Sequence, residues 1–254
     1  MAAGHPRGET SLGSMSPVYD CTTEEGRAEG VARASEAIRS GGVVVLPTDT
    51  VYGIGADAFS PEAVASVLAA KGRGREMPPP VLVPSVRTVD GLASDVPSWA
   101  RDLIKAFWPG PLTLVFTAQS SLMWDLGETN GTVALRMPED DVALALLSEV
   151  GPMAVTSANL TGQPPATTVV EAATQLGAAV SVYLDGGPAT GTDVSTILDC
   201  TGDAPVVLRA GAISQEQIDE VLSPDTSETA PDDAIELPAD PTDESTLQET
   251  PDER

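Results

Sequence analysis

This 254-residue sequence has little histidine and little cysteine, and both shortages exclude kinds of chemistry. Its one histidine, His5, lies in a loop-like N-terminal stretch, which excludes a histidine base, a Ser-His-Asp triad and a His-rich metal site. Its two cysteines, Cys21 and Cys200, are too few and too far apart for a disulfide framework or a zinc site. We therefore expect a protein whose side chains hold no metal.

Long apolar runs are also missing. No run approaches the roughly 18 residues that a membrane-spanning helix needs, and the first residues lack the apolar stretch of a secretion signal. These absences favour a cytoplasmic protein without a membrane partner. Aromatic residues make up only 4% of the chain, whereas hydrophobic residues make up 41%, so we expect a globular core built mainly from Val, Leu, Ala and Ile.

Positive charge is scarce, with 13 Lys and Arg against 38 Asp and Glu and a formal net charge of -25. This balance argues against broad nucleic-acid binding, which needs Lys and Arg to displace counterions from phosphates. Three of the positive residues nevertheless lie close together, at Lys71, Arg73 and Arg75. They would suit the C-terminal end of a helix, but because like charges repel, we expect an anion to bind them. The sequence has no Walker or GxGxxG motif, so side-chain charge would hold phosphates.

Composition divides the chain into three parts. Residues 1–17 are rich in Gly, Ser and Pro and are predicted to be disordered. Residues 223–254 contain 11 acidic residues, one basic residue and no aromatic residue, so they bury too little apolar area to fold. We interpret this tail as a solvated spacer, with a partner-binding arm as the alternative. Residues 18–222 are long enough for one domain with a substantial core.

Capping signals and apolar runs predict an alternation of helices and short strands. A capping box of Thr22 with Glu25 predicts the first helix, and Thr168 with Glu171 predicts a later one. The predicted helices cover residues 22–39, 60–71, 98–107, 139–150, a segment from 168 and 214–222. The predicted strands cover residues 43–46, 81–83, 112–116, 133–135, 153–155, 182–184, 195–198 and 206–208. Since the strands are apolar on both faces and the last ones follow one another directly, we predict an α/β (α+β) fold with a mixed sheet.

Polar side chains follow several of these strands. Residues 47–53 and 156–162 carry hydroxyl, carboxylate or amide groups directly after an apolar strand. Arg136 ends another strand and needs a partner, either a substrate carboxylate or an internal aspartate. Ser195 and Arg209 lie at the last two strands. Taken singly, each of these features is also compatible with an ordinary turn or an internal contact.

Taken together, the motifs are specific. The ordered segments PTDTVYGIGADA, KGR, FWPGPLTLVF, VALRMP, TSANLTGQPPATT, DVSTILD and LRAGAI resemble the YrdC-like family, the L-threonylcarbamoyladenylate synthases. The resemblance runs from about residue 35 to 222 and implies a twisted, mixed parallel and antiparallel sheet, flanked by helices, with a large electropositive cavity. It implies a nucleotidyltransferase that converts L-threonine, bicarbonate or CO2, and ATP into threonylcarbamoyl-AMP and pyrophosphate. That product would serve t6A formation at position 37 of tRNA through a downstream transferase complex.

The resemblance also assigns roles to residues of this chain. Lys71 and Arg73 would be catalytic by neutralising the charge of the phosphates, and Mg²⁺ would be bound through ATP phosphates. The implied L-threonine contacts are Thr50, Arg136, Ser157 and Ser195. The implied ATP contacts are Lys71, Arg73, Arg75, Thr132, Asn159, Thr167 and Arg209. The proposed contact of Arg75 rests only on its charge and proximity, and Pro84 stands near the position where many family members have His.

Two other functions compete with this interpretation. An RNA-binding or ribosome-assembly module has also been attributed to this fold, but a net charge of -25 argues against it. The related carbamoyl-adenylate chemistry of hydrogenase maturation uses this fold beside zinc-finger and further domains. Two cysteines in one domain exclude that arrangement, and the chain instead resembles the single-domain form of the family.

Overall fold

The computed structural model describes residues 16–191 and 193–223. A compact unit ends at Leu222. The acidic tail from residue 224 and almost all of the predicted N-terminal extension lie outside the described residues. The division of the chain into three parts therefore stays a prediction.

Seven α-helices are present in the described part of the chain, and all six predicted helices are among them. Their bounds are α1 Glu24–Arg39, α2 Pro61–Lys71, α3 Val89–Leu92, α4 Ser98–Phe107, α5 Asp141–Val150, α6 Val169–Leu176 and α7 Gln215–Leu222. Short 3₁₀ turns lie at Val86–Thr88 and Gly177–Ala179. No helix in residues 16–191 and 193–223 is long and apolar enough to cross a membrane.

The helix caps show where local sequence signals succeed and fail. At α6 the predicted cap is confirmed, because Thr168 Oγ1 accepts a hydrogen bond from the Glu171 amide. At α1 the predicted cap is wrong by one residue, since Thr23 accepts from the Gly26 amide. The hydroxyl of Thr22 instead donates to the side chain of Asp20 at 2.5 Å, in a turn that precedes the helix.

One mixed sheet forms the centre of the unit. Its strands are β1 Val18–Asp20, β2 Val44–Leu46, β3 Gly53–Asp57, β4 Val81–Leu82, β5 Ala93–Ser94, β6 Leu112–Ala118, β7 Thr132–Arg136, β8 Met153–Ser157, β9 Val182–Asp185, β10 Thr196–Asp199 and β11 Val206–Arg209. Their order is β1-β9-β2-β3-β8-β4-β7-β6-β10-β11, with β5 beside β6. Parallel pairs such as β6 with β10 and antiparallel pairs such as β6 with β7 confirm the predicted mixed sheet.

Strand β3 lies near the middle of the sheet, although the sequence did not indicate it. It pairs antiparallel with both β2 and β8, yet it contains Gly53 and Gly55, and glycine weakens a strand. The glycines are explained by close packing. A Cβ at Gly53 would lie 2.7 Å from Val155 Cγ1, and one at Gly55 would lie 2.6 Å from Val155 Cγ2.

Helices pack on both faces of one half of the sheet. Val44 and Leu46 of β2 face a cluster with α1 and α5, whereas Val43 and Val45 face a second cluster with α2 and α6. In this half of the sheet, helices therefore cover both faces, as strands that are apolar on both faces predict.

The other half of the sheet has one face against helices and one face open. In β6, Leu112, Leu114 and Phe116 are buried in a cluster that includes residues of α4 and α7. The alternate residues Thr113 and Val115 point to the opposite face, where they line a cavity. Thr132 and Arg136 of β7, and Ser195 directly before β10, bring polar side chains into that cavity.

The tight packing at Gly53 gives a test of the fold. We expect Gly53→Ala to lower the free energy of unfolding by about 1–3 kcal/mol, because the new methyl group would overlap Val155. Val155→Ala removes the overlapping atom, so the double variant should be more stable than the sum of the two single changes predicts. Chemical denaturation of the four proteins measures this coupling.

Gly91→Ala is the matched control. Gly91 lies in α3, and a Cβ there would meet no heavy atom within 4 Å apart from its chain neighbours and the backbone of its own helix. Alanine there should leave stability unchanged or raise it by up to about 1 kcal/mol, since alanine favours helix. Equal losses in Gly53→Ala and Gly91→Ala would contradict the packing argument.

Candidate functional site

A cavity of about 400 Å³ opens on the uncovered face of the sheet. Strands β3, β6, β7, β8, β10 and β11 contribute to its wall, together with the segments that follow β2 and precede β4. Apolar residues such as Val115, Val133 and Ile197 cover much of the wall, and hydroxyl and guanidinium groups lie between them. This combination is typical of a binding site for a small molecule with both apolar and charged parts.

Three arginines line this cavity, namely Arg73, Arg136 and Arg209. Arg73 reaches it because α2 ends at Lys71 and Gly72 turns the chain in the left-handed region, at φ 61°. Burial lowers the pKa of Arg209, and the positive charges of Arg136 and Arg73 lower it further. No carboxylate side chain is among the described residues that line the cavity, so the three guanidinium groups are its charged side chains.

Arg136 is held by protein groups on three sides. Its Nη2 donates to Asp49 Oδ1 at 2.6 Å, its Nη1 to Thr50 Oγ1 at 3.1 Å, and its Nε to the Gly110 carbonyl at 3.0 Å. Asp49 Oδ1 also accepts from the Glu139 amide at 3.0 Å. Of the two partners that the sequence left open for Arg136, the structure therefore shows the internal aspartate.

Arg209 contacts a chain of two hydroxyl groups. Its Nη2 donates to the Ser195 carbonyl at 2.7 Å and to Ser195 Oγ at 2.9 Å. Ser195 Oγ lies 2.9 Å from Thr113 Oγ1. Thr113 was missed in the sequence, although it is the one polar residue in the apolar run from 112 to 116. Such a residue in a buried strand must have a polar partner.

Arg73 is only partly satisfied by the protein. Its Nη1 donates to Thr156 Oγ1 at 2.9 Å, and its Nε is buried with no hydrogen-bond partner among the described residues. In the described part of the chain, neither Arg73 nor Arg209 has a carboxylate within 4 Å. These two arginines therefore supply the positive charge that is free to bind an anion.

Lys71 is buried beside the cavity and is not among the residues that line it. Its Nζ donates to the Ser157 carbonyl, to the Asn159 carbonyl at 2.7 Å and to Asn159 Oδ1 at 3.3 Å. Burial, and then the charge of Arg73, lowers the pKa of Lys71 to about 8. The lysine thus joins the end of α2 to Ser157 at the end of β8 and to Asn159 in the loop that follows.

The structure brings together some of the residues to which the sequence assigned binding roles, but not all of them. The cavity is lined by Thr50, Arg73, Thr132, Arg136, Ser157, Ser195 and Arg209. Lys71, Arg75, Asn159 and Thr167 do not line it. Asn159 Nδ2 donates within its own loop, and Thr167 Oγ1 donates to Glu171 at 3.0 Å. Arg75 is exposed and paired with Asp125 at 2.7 Å. The individual binding roles, and the electropositive character of the whole cavity, stay predictions.

Comparison with known proteins places this chain in a defined family. A family model described as telomere recombination, which covers Sua5, YciO and YrdC, matches residues 36–211. A Mycobacterium tuberculosis protein named "Putative threonylcarbamoyl-AMP synthase" is 54% identical over 213 residues, covering 84% of this chain and 98% of that protein. The threonylcarbamoyl-AMP synthase of Bacillus subtilis is 40% identical over 215 residues, covering 83% of this chain and 62% of that protein.

Solved structures share the fold. The crystal structure of P. abyssi Sua5 complexed with L-threonine matches with a TM-score of 0.77 at 34% identity, covering 83% of this chain and 61% of that chain. The crystal structure of E. coli YciO matches with a TM-score of 0.72 at 25% identity, covering 80% of this chain and 100% of that chain.

The unpaired arginines lead to a binding prediction. We expect Arg209→Met to weaken ATP binding at least ~10-fold, because a hydrogen bond to a charged group contributes about 1.5–3 kcal/mol. Arg101→Met is the control, since Arg101 is exposed and paired with Asp90 at 2.9 Å outside the cavity. Calorimetric titration of both variants with ATP measures the difference. Equal affinities in the two variants would contradict the assignment of Arg209 to anion binding.

The lowered pKa of Lys71 predicts a pH dependence. As the pH rises through about 8, Lys71 loses its proton and the site loses one positive charge, whereas ATP phosphates are already fully ionised. ATP affinity should therefore fall roughly fivefold over this range, which corresponds to about 1 kcal/mol of charge interaction. In Lys71→Met the affinity should be weaker at neutral pH and should show no such fall. A fall that persists in Lys71→Met would assign the titration to another group.

Proposed function

This chain belongs to the family that contains Sua5, YciO and YrdC, and on that premise we propose that it is a threonylcarbamoyl-AMP synthase. Its substrates would be L-threonine, bicarbonate or CO2, and ATP, and its products threonylcarbamoyl-AMP and pyrophosphate. By reaction class it would be a nucleotidyltransferase, since an adenylyl group is transferred to a carboxylate. Similarity over 98% of the length of the mycobacterial relative supports an activity of the whole protein.

The observation that carries the proposal is the unequal pairing of the three cavity arginines. Arg73 and Arg209 have no carboxylate partner among the described residues, which suits the negative charge of a polyphosphate. Arg136 is paired with Asp49 but uses only three of its five N–H donors on protein groups. The two that remain suit the carboxylate of an amino acid. One cavity thus offers separate positions for two anions.

The chemistry requires positioning more than a protein nucleophile. The threonine amine forms an N–C bond to CO2 and loses a proton, which gives an N-carboxylate. An oxygen of that carboxylate attacks the α-phosphorus of ATP, the bond from this phosphorus to the bridging oxygen breaks, and pyrophosphate leaves. Holding the two anions together, and neutralising the charge on the leaving group, are the tasks left to the protein.

The residues of the cavity divide these tasks. We assign the ATP phosphates to Arg73 and the nucleotide to Arg209 and Thr132. We assign L-threonine to Arg136 with three hydroxyl groups, those of Thr50, Ser157 and Ser195. Lys71 would act on the same phosphates through its charge and by holding the loop after β8. In the present arrangement, Arg75, Asn159 and Thr167 would reach ATP only after their contacts in the structure change.

Mg²⁺ would be bound with ATP. No group of three or more His, Cys, Asp or Glu in residues 16–191 and 193–223 could hold a metal ion. The polar side chains that line the cavity carry guanidinium and hydroxyl groups. This lining fits a metal ion that is bound through substrate phosphates and water. Bound there, Mg²⁺ would neutralise part of the charge on the pyrophosphate.

The proposed product, threonylcarbamoyl-AMP, indicates what kind of partner the protein would need. An acyl-adenylate is labile in water, so a cytoplasmic transferase complex would have to consume it for t6A formation on tRNA. The synthase itself then needs no broad contact with RNA, in agreement with the net charge of -25. This charge favours the synthase over the alternative of an RNA-binding module.

The direct test is pyrophosphate release from ATP, with detection of threonylcarbamoyl-AMP by mass spectrometry. Release should require both L-threonine and bicarbonate, and L-serine should replace L-threonine poorly. If release is independent of L-threonine, or if the protein binds tRNA tightly and in a salt-sensitive way without ATP turnover, the synthase proposal is wrong.

Arg73→Ala tests the phosphate role within this reaction. We expect kcat/KM to fall at least roughly 30-fold. This fall corresponds to a loss of about 2 kcal/mol of transition-state stabilisation, the scale of a lost charged contact. Arg101→Ala should leave kcat/KM unchanged, because that side chain is exposed outside the cavity. An unchanged rate in Arg73→Ala would show that Arg73 does not hold the phosphates.

A further inference from the structure

Asp49 lies behind the cavity wall, in the segment that follows β2, and only 10% of its side chain is exposed. Its Oδ1 accepts hydrogen bonds from Arg136 Nη2 and from the Glu139 amide. Its Oδ2 is buried and has no hydrogen-bond partner among the described residues. A buried carboxylate needs a compensating charge, and the guanidinium of Arg136 supplies it at 2.6 Å.

The dependence is mutual, because Asp49 also determines how Arg136 is presented. The side chain of Arg136 is only 8% exposed, and burial lowers its pKa whereas the charge of Asp49 raises it. Contacts to Asp49, to Thr50 Oγ1 and to the Gly110 carbonyl hold the plane of the guanidinium. One N–H on each Nη is left, so the orientation in which Arg136 faces a ligand is set by these three partners.

The pairing with Asp49 also makes Arg136 electrostatically different from the other two arginines of the cavity. Arg136 has a carboxylate within 4 Å, whereas Arg73 and Arg209 have none in the part of the chain that the structure describes. A guanidinium and a carboxylate together carry no net charge. Such a pair still donates hydrogen bonds, but it attracts a phosphate group less than an unpaired arginine does.

We propose that Asp49 is a positioning and specificity-determining residue of this site. It fixes the guanidinium of Arg136 and cancels its charge, so this position takes the carboxylate of a zwitterionic amino acid and rejects phosphate. The inference rests on the proposed function, because it identifies the ligand of Arg136 as the carboxylate of L-threonine.

Asp49→Asn tests both parts, since asparagine keeps the shape and one acceptor oxygen but removes the charge. The dissociation constant of L-threonine, measured by calorimetry, should rise at least ~10-fold, the scale of a disturbed charged contact. The dissociation constant of ATP should not rise, because Arg73 and Arg209 keep their partners. In the assay, the same change should raise KM for L-threonine more than it lowers kcat.

Competition between ligands gives a readout that a merely structural role would not change. In the wild type, saturating L-threonine should leave pyrophosphate affinity unchanged, because the two anions occupy different arginines. In Asp49→Asn, the released charge of Arg136 should attract pyrophosphate, so L-threonine should weaken pyrophosphate binding at least ~3-fold. Asp90→Asn is the control, because Asp90 pairs with the exposed Arg101 outside the cavity; it should behave as the wild type.

Three outcomes would overturn the inference. The first is a folded Asp49→Asn protein that binds L-threonine as the wild type does. The second is an Asp49→Asn protein in which L-threonine and pyrophosphate bind independently. The third needs no variant: competition between L-threonine and pyrophosphate in the wild type would show that Arg136 does not reject phosphate. A wild type that binds no L-threonine would instead contradict the proposed function itself.

Discussion

The buried ion pair between Arg136 and Asp49 is the contact on which the arrangement of the site depends. It joins the end of β7 to the segment after β2, and the shared Asp49 oxygen extends the contact to the Glu139 amide before α5. Removing one member of such a pair typically costs about 3–5 kcal/mol, because the other charge is left buried. The fold therefore holds this part of the cavity in one geometry, and it does so with a group that also lines the cavity.

Lys71 joins a second pair of segments in a different way. Its ammonium group is surrounded by carbonyl and amide oxygens of Ser157 and Asn159 rather than by a carboxylate. A buried cation without a counterion costs free energy, and its lowered pKa expresses that cost. Its charge remains uncancelled near Arg73. Buried groups with shifted pKa values cluster at functional sites. At this site, a bound anion would neutralise the positive charge that the protein's own groups leave without a counterion.

Local signals in the sequence predicted the elements but not the contacts between them. Apolar runs located the short strands that the structure confirms, and polar residues at strand ends pointed to Thr50, Ser195 and Arg209, which line the cavity. Strand β3 was not predicted from the sequence, because glycine is not typical of strands and its two glycines pack against Val155, a residue about 100 positions away along the chain. The pairings of Arg75 with Asp125 and of Arg136 with Asp49 also join distant segments. No local pattern could decide between these partners and a ligand.

The strong negative charge of the chain and its arginine-lined cavity are compatible because they act over different distances. At physiological ionic strength, exposed charges are screened over about 8 Å, so acidic groups on remote surfaces contribute little inside the cavity. Arg73 and Arg209 line the cavity in a partly buried setting, where screening is weak and each charge counts for more. The surface charge can therefore keep polyanions such as RNA away from the protein, while the cavity still binds a small anion that fits within it.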